Sequence, residues 1–251
     1  MKKKIISFIL TATLLTITAG CGNTDTQGGG QTVSTQSAAE SSIADTQAEA
    51  VTERDNEQSV TQAAGTTEAA ETGSNILVAY FSWADNAVID GDVDAVSSPS
   101  VTAPGNVQEL AGWVQEETGG DLFSIRVTDP YPSDWDQCLD RANEERGEDA
   151  RPQLQENVEN LDSYDTVFLG YPNWWYGVPM ALLSFLEEND LSGKQVYLFC
   201  SHGTGGLADS VDIIEEAVPD AEISDNIFDC YEEDASSSRS EIQSWVEELG
   251  Y

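Results

Sequence analysis

Between Asp165 and Leu186 the chain reads DTVFLGYPNWWYGVPMALLSFL, an apolar run that breaks into three consecutive aromatics and then opens a helix. Thr166, Val167, Phe168 and Leu169 have the length of a parallel strand buried on both faces. Gly170 and Pro172 end the run, and Pro179 suits the first turn of a following helix. Trp174, Trp175 and Tyr176 then stand on a loop at the carboxyl end of a strand, where open α/β sheets bind ligands. Adjacent residues point in different directions, so a core role for the tryptophans, the competing reading, cannot hold for all three aromatics at once.

The same alternation runs through residues 74–251, which carry nearly all the aromatics and form one domain with a sizeable core. Strands are predicted over 75–81, 121–127, 165–170 and 194–200, with a weaker fifth over 222–228. Helices are predicted over 105–118, 133–148 with Ser133 as cap, 179–188, 207–217 and 238–249. Five strands alternating with helices give an α/β fold, a doubly wound five-stranded parallel sheet with right-handed crossovers. Residues 82–104 make a connection of about 23 residues where two to six are usual, which points to a functional loop or a surface insertion.

The N-terminus addresses the compartment. Lys2, Lys3 and Lys4 precede an apolar stretch over 5–17 that is too short to span a bilayer and reads as a signal peptide. The sequence Ile17-Thr18-Ala19-Gly20-Cys21 resembles a bacterial lipobox, which implies lipidation at Cys21 and a lipid-anchored, extracytoplasmic protein; ordinary secretion with an incidental cysteine is the alternative. Residues 22–73 are mostly Gly, Ser, Thr, Gln, Ala and Glu without one aromatic, the composition of a disordered tether spanning roughly 40 Å. Membrane association is thus expected through the lipid alone.

Residues 74–251 hold six Lys and Arg against 37 Asp and Glu, a formal charge of −31. Such a balance argues against nucleic acid and anionic lipid and favours basic or cationic partners. Cys138, Cys200 and Cys230 show neither metal-ligand spacing nor a CxxC pair; an odd number outside the cytoplasm leaves at least one thiol free, with one disulfide open. His202 is the only histidine, and no GxSxG elbow accompanies it, so neither a hydrolase triad nor a His/Cys metal site is expected. A carboxylate-only metal site stays open in so acidic a domain.

Three loops are placed at one sheet edge. After the first strand come Ser82-Trp83-Ala84-Asp85-Asn86, and the far end of that connection, Thr102-Ala103-Pro104-Gly105-Asn106-Val107, leads into a helix whose N-terminal N–H groups suit a phosphate or are simply capped. After the fourth strand comes Ser201-His202-Gly203-Thr204-Gly205-Gly206, where glycines let backbone N–H groups reach a ligand. His202 is a candidate for proton transfer or ring contact, or a plain hydrogen-bonding loop residue.

The segments Phe81-Ser82-Trp83, Tyr171-Pro172-Asn173-Trp174-Trp175 and SHGTGG together resemble a flavodoxin of the type whose first strand ends FSW and whose third continues into YPxWW. The resemblance covers 75–251 and implies strand order 2-1-3-4-5 and non-covalent FMN. It implies that Ser82, Trp83 and Asn86 with Thr102, Pro104, Gly105, Asn106 and Val107 hold the phosphate end. Pro172, Asn173, Trp174, Trp175 and Tyr176 would flank the ring, and Ser201, His202, Gly203, Thr204, Gly205 and Gly206 its pyrimidine edge or ribityl chain. One departure is that Asp85 and Ala87 occupy the glycine and last threonine positions of the common S-x-T-G-N-T loop; Asp85 should therefore point away. The implied activity is extracytoplasmic electron transfer or a flavin-dependent reductase, with a redox partner protein, a quinone or a nicotinamide. A surface binding module that has lost the flavin is the rival from another class.

Overall fold

The computed structural model describes residues 74–251. The signal-peptide, Cys21 lipidation and linker readings lie outside the described residues. In chain order the elements are β1 (Ile76–Tyr80), α1 (Trp83–Asn86), β2 (Ala87–Val88), α2 (Ser98–Val101), α3 (Asn106–Thr118), β3 (Asp121–Ser124), β4 (Tyr131–Pro132) and α4 (Trp135–Gly147). Then come β5 (Thr166–Pro172), α5 (Met180–Glu188), β6 (Gln195–His202), α6 (Ser210–Ala217), β7 (Glu222–Ile223), β8 (Phe228–Tyr231) and α7 (Arg239–Leu249).

The main sheet is parallel in the order β3-β1-β5-β6-β7, with β8 also paired to β6. Read as first to fifth strands this is the expected 2-1-3-4-5. Alternation along the central strands sorts the core into two layers. Leu77, Ala79, Val167 and Leu169 join a cluster with Ala181, Phe185 and Ile214 from α5 and α6. Ile76, Val78 and Phe168 join Leu110, Val114, Ile242 and Val246 from α3 and α7. Burial on both faces is why these strands are nearly continuous apolar runs.

Several boundaries differ from expectation, each for a local reason. The fifth strand is split, because Ser224 turns the chain by accepting the Asn226 N–H at 3.1 Å; β7 pairs with the start of β6 and β8 with its end. β5 and β6 run two residues further than predicted, to Pro172 and His202, so residues expected on loops sit on strand ends. Helix α4 is capped by Asp134, whose carboxylate accepts the Gln137 N–H at 3.0 Å, while Ser133 accepts the Asp90 N–H at 3.2 Å. Pro179 is the N-cap of α5 rather than its first residue, and the predicted helix over 207–217 begins only at Ser210.

The long connection is built rather than loose. It carries α1, β2 and α2, and β2 pairs in parallel with β4, Ala87 opposite Tyr131 and Val88 opposite Pro132. Cys138, Cys200 and Cys230 are all free thiols, which closes the disulfide alternative. Cys138 and Cys200 lie in the α5/α6 core layer and Cys230 packs against the other. Among the described residues no helix is long and apolar enough to cross a membrane, and no group of three His, Cys, Asp or Glu side chains is arranged to hold a metal.

Candidate functional site

A cleft of about 200 Å³ opens at the carboxyl ends of β1, β5 and β6, the edge where the three loops were placed. Its first wall comes from Ser82 and Trp83 after β1 together with Ser100 of α2 and the N-terminus of α3 at Asn106 and Val107. Gly105 is buried behind this wall: a Cβ there would stand 2.7 Å from the Ser100 carbonyl oxygen and 2.9 Å from Ser82 Oγ. Only glycine lets α2, the first loop and the start of α3 meet. In α3 the Glu109 N–H is the donor to the Gly105 carbonyl, at 2.9 Å, leaving the N–H groups of Asn106 and Val107 ahead of the helical ladder. With the Ser82 and Ser100 hydroxyls they form a neutral donor set at a positive dipole end, fit for a phosphate.

The second wall is the turn after β5. Trp174 packs inward, edge-on to Phe81 at 5.4 Å and to Tyr131 at 5.2 Å between ring centroids. Trp175 faces out beside Trp135 at 6.2 Å, and Tyr176 is 65 % exposed. One indole anchors the turn in the core and the next two rings border the cleft, as the adjacency of the three required. Trp175 and Tyr176 both take the left-handed backbone conformation, φ 50° and 66°. That conformation is strained for large side chains and persists only where the surroundings enforce it. Arg146 does so by donating to the Trp175 carbonyl at 2.6 Å, and Asn173 Oδ1 by accepting the Tyr176 N–H at 3.1 Å.

The third wall runs from Ser201 to Gly205 at the end of β6. No hydrogen-bond acceptor is found among the described residues for the backbone N–H groups of Gly203, Thr204 and Gly205. His202 has both ring nitrogens opposite acceptors, Nδ1 at 2.8 Å from the Gly203 carbonyl and Nε2 at 2.8 Å from Asp229 of β8. The imidazole thus ties this loop to the neighbouring strand. Glu232, just past β8, closes the cleft, and its backbone carbonyl accepts from Asn106 Nδ2 at 2.9 Å. Burial first, then the neighbouring Glu233, raises the Glu232 carboxyl above the ordinary carboxylate range, with His202 acting in the opposite sense.

Residues 95–249 match the flavodoxin family. The chain belongs to that family. Among solved structures, a Bacteroides eggerthii protein assigned as a flavoprotein is 27 % identical with a TM-score of 0.54, the match covering 70 % of this chain and 98 % of that one. A second such protein, from Bacteroides uniformis, is 23 % identical with the same TM-score, over 70 % and 99 %, and speaks for the fold alone. No curated protein matches the chain.

Against this flavodoxin cleft, fourteen of the residues singled out in the sequence line it: Ser82, Trp83, Asn106 and Val107, the five from Pro172 to Tyr176, and the five from Ser201 to Gly205. Five do not. Asn86 is buried and structural, donating to the carbonyls of Ser82 and Ile125 at 2.9 Å each and accepting the Val127 N–H at 2.8 Å. Thr102 and Pro104 are exposed, because α2 turns Ser100 rather than the Thr102 segment toward the cleft. Gly105 and Gly206 shape their turns from behind. Asp85 points away as expected, its carboxylate accepting from Tyr80 at 2.8 Å and Ser124 at 2.6 Å. Three lining residues were not singled out: Ser100, Trp135 and Glu232. A tryptophan at the first position of an otherwise polar helix was the available signal for Trp135.

Proposed function

We propose that this flavodoxin holds FMN non-covalently in the cleft and serves in extracytoplasmic electron transfer or as a flavin-dependent reductase. The observation that carries the reading is the convergence of three unlike walls on one cleft: neutral donors at the α3 N-terminus, the Trp175–Tyr176 turn, and unpaired N–H groups from Gly203 to Gly205. A phosphate, a flat ring and the ring's carbonyl edge each find a matching surface there. FMN, when bound, supplies one- or two-electron chemistry, and the chain supplies binding, access and electrostatics. The −31 charge of residues 74–251 opposes added negative charge in the cleft, which favours a low-potential carrier.

A binding module without flavin would need its phosphate end blocked or charged, and Asp85, the carboxylate of the first loop, is turned away to Tyr80 and Ser124. Lipidation of Cys21 would hold the domain outside the cytoplasmic membrane, where a membrane flavoprotein or the quinone pool is a nearer donor than a nicotinamide. Loss of palmitate incorporation in Cys21→Ala tests that anchor.

The full chain should purify yellow or quench the fluorescence of added FMN. A colourless protein without FMN affinity overturns the proposal. Titration with dithionite separates one-electron from two-electron behaviour, and bleaching by NADH or NADPH tests the reductase variant.

A further inference from the structure

Among the groups around the Glu232 carboxyl, only His202 favours its ionised form. No Lys or Arg lines the cleft, and no hydrogen-bond donor to the Glu232 carboxylate is found among the described residues. The nearest cationic candidate, His202, has both nitrogens committed to Gly203 and Asp229. Arg146, which supports the second wall, spends its guanidinium on the Trp175 carbonyl. Glu232 Oε1 lies 3.5 Å from the point a Cβ on Gly203 would occupy, so the carboxylate borders the run of unpaired N–H groups. The charged and titratable groups acting on it are Glu233 beside it and His202 from the end of β6, and behind His202 stand Asp229 and Tyr231 on β8. On the α3 side it meets only the neutral Asn106.

This inference rests on the FMN reading. We infer that Glu232 is the charge-selecting residue of the cleft: ionised, it opposes a phosphate-bearing ligand, and it takes up a proton from solvent when such a ligand enters. An anion brought into the cleft repels an ionised carboxylate, and the ring that comes with it removes water from that carboxylate. Both effects favour the protonated acid. The burial that already raises the carboxyl in the free protein acts in the same direction. Ligand affinity is therefore proton-linked, weaker where Glu232 is ionised and stronger where it is neutral.

The test is FMN binding by fluorescence quenching, pH 5 to 8, for the full-length wild type, Glu232→Gln, Glu232→Ala and Glu233→Gln. Free FMN titrates identically in every arm, so its own protonation in solution cancels in the ratio of dissociation constants. Glu232→Gln should bind FMN about three- to tenfold tighter than wild type at pH 8, the ratio falling toward one at pH 5. Glu232→Ala should move in the same direction, which guards against a fault peculiar to the amide, and the exposed Glu233→Gln should change affinity by less than about twofold. Equal or weaker binding by both Glu232 variants at pH 8 overturns the inference and leaves the cofactor reading intact. Absence of FMN binding in all four proteins overturns the cofactor reading, and the inference with it.

Discussion

The side-chain amide nitrogen of Asn173 lies 2.9 Å from the carbonyl oxygen of Gly206, and equally 2.9 Å from that of Leu207. One residue at the end of β5 thereby holds the loop after β6, while its Oδ1 fixes the Tyr176 N–H at 3.1 Å. Two walls of the cleft are set by a single side chain. Asn173→Ala leaves the Gly206 carbonyl and the Tyr176 N–H without partners, while Leu207 keeps Ser210 as donor, a loss of about 1 to 3 kcal/mol shared between folding and binding. FMN affinity should fall about tenfold, with a drop in melting temperature of a few degrees. Asn173→Asp should fare little better, since a carboxylate can accept from Tyr176 but cannot donate to Gly206 or Leu207. Unchanged affinity in both variants, by fluorescence titration, would show that the two loops are set independently.

Arg146 offers a second handle on the same turn from the opposite side. Its guanidinium donates to the carbonyl of Trp175 at 2.6 Å and to Asn143 at 3.3 Å, so the last turn of α4 props a residue in left-handed backbone conformation. The group is exposed, and its removal should cost folding less than about 1 kcal/mol. The turn, freed of its prop, can relax out of the strained conformation, and FMN affinity should fall about three- to tenfold. The informative outcome is the split: a binding loss in Arg146→Gln with a nearly unchanged urea midpoint.

Trp174 and Trp175 are adjacent and should behave oppositely. Trp174 lies edge-on to Phe81, Tyr131 and Trp83 at 5.2 to 6.2 Å, so Trp174→Ala removes packing and should destabilise the fold by roughly 2 to 4 kcal/mol. Trp175 touches Trp135 at the cleft border, and Trp175→Ala should weaken FMN retention by about 1 to 3 kcal/mol with a smaller effect on stability. Paired chemical denaturation and FMN titration of the two variants decides the assignment. A stability loss in Trp175→Ala as large as in Trp174→Ala would place both indoles in the core.

The main strands, the doubly wound parallel class and most of the cleft were legible because buried parallel strands write themselves as apolar runs and ligand loops gather at their carboxyl ends; the strand order came from the resemblance. Thr166 to Leu169 and the KQVYLFC run needed nothing beyond local sequence. What local sequence could not show was which side of a long connection faces inward. Thr102 and Pro104 resembled a phosphate turn, yet a four-residue helix over Ser98–Val101 presents Ser100 instead. Asn86 looked like a ligand residue because its neighbours are. Two of its three hydrogen bonds to backbone, those at Ile125 and Val127, depend on a segment 39 to 41 residues away, just past β3. Glu232 was hidden for the same reason: only the pairing of β8 with β6 brings it beside His202. The split fifth strand was a matter of degree, since Ser224 and Asn226 interrupt a run that was already weakly apolar.

Alkaline titration reads the packing of the α/β core. Burial first, then the Asp85 carboxylate, pushes the Tyr80 hydroxyl from 10.0 up to about 12. Burial, with Glu145 behind it, drives Tyr131 higher still, and burial does the same to Tyr171. The Cys138 thiol goes from 9.0 to about 12, again through burial. In each case the folded state holds its proton to a higher pH than the unfolded chain does. Above pH 9 for the thiol and 10 for the phenols the unfolded state therefore binds fewer protons than the native state, and stability falls as pH rises. The stabilisation from these groups is complete below pH 9 and is lost progressively toward pH 12, each fully shifted group contributing at most about 1.4 kcal/mol per pH unit. The urea midpoint should be level near pH 8 and decline steadily from pH 9.5 to 11. Tyrosinate absorbance at about 295 nm should lag behind that of free tyrosine until unfolding. Tyr131→Phe, which deletes one shifted phenol and its 2.8 Å bond to Glu145, should be less stable at pH 8 and show a shallower decline. An urea midpoint that stays level through pH 11 would mean that these phenols ionise in place.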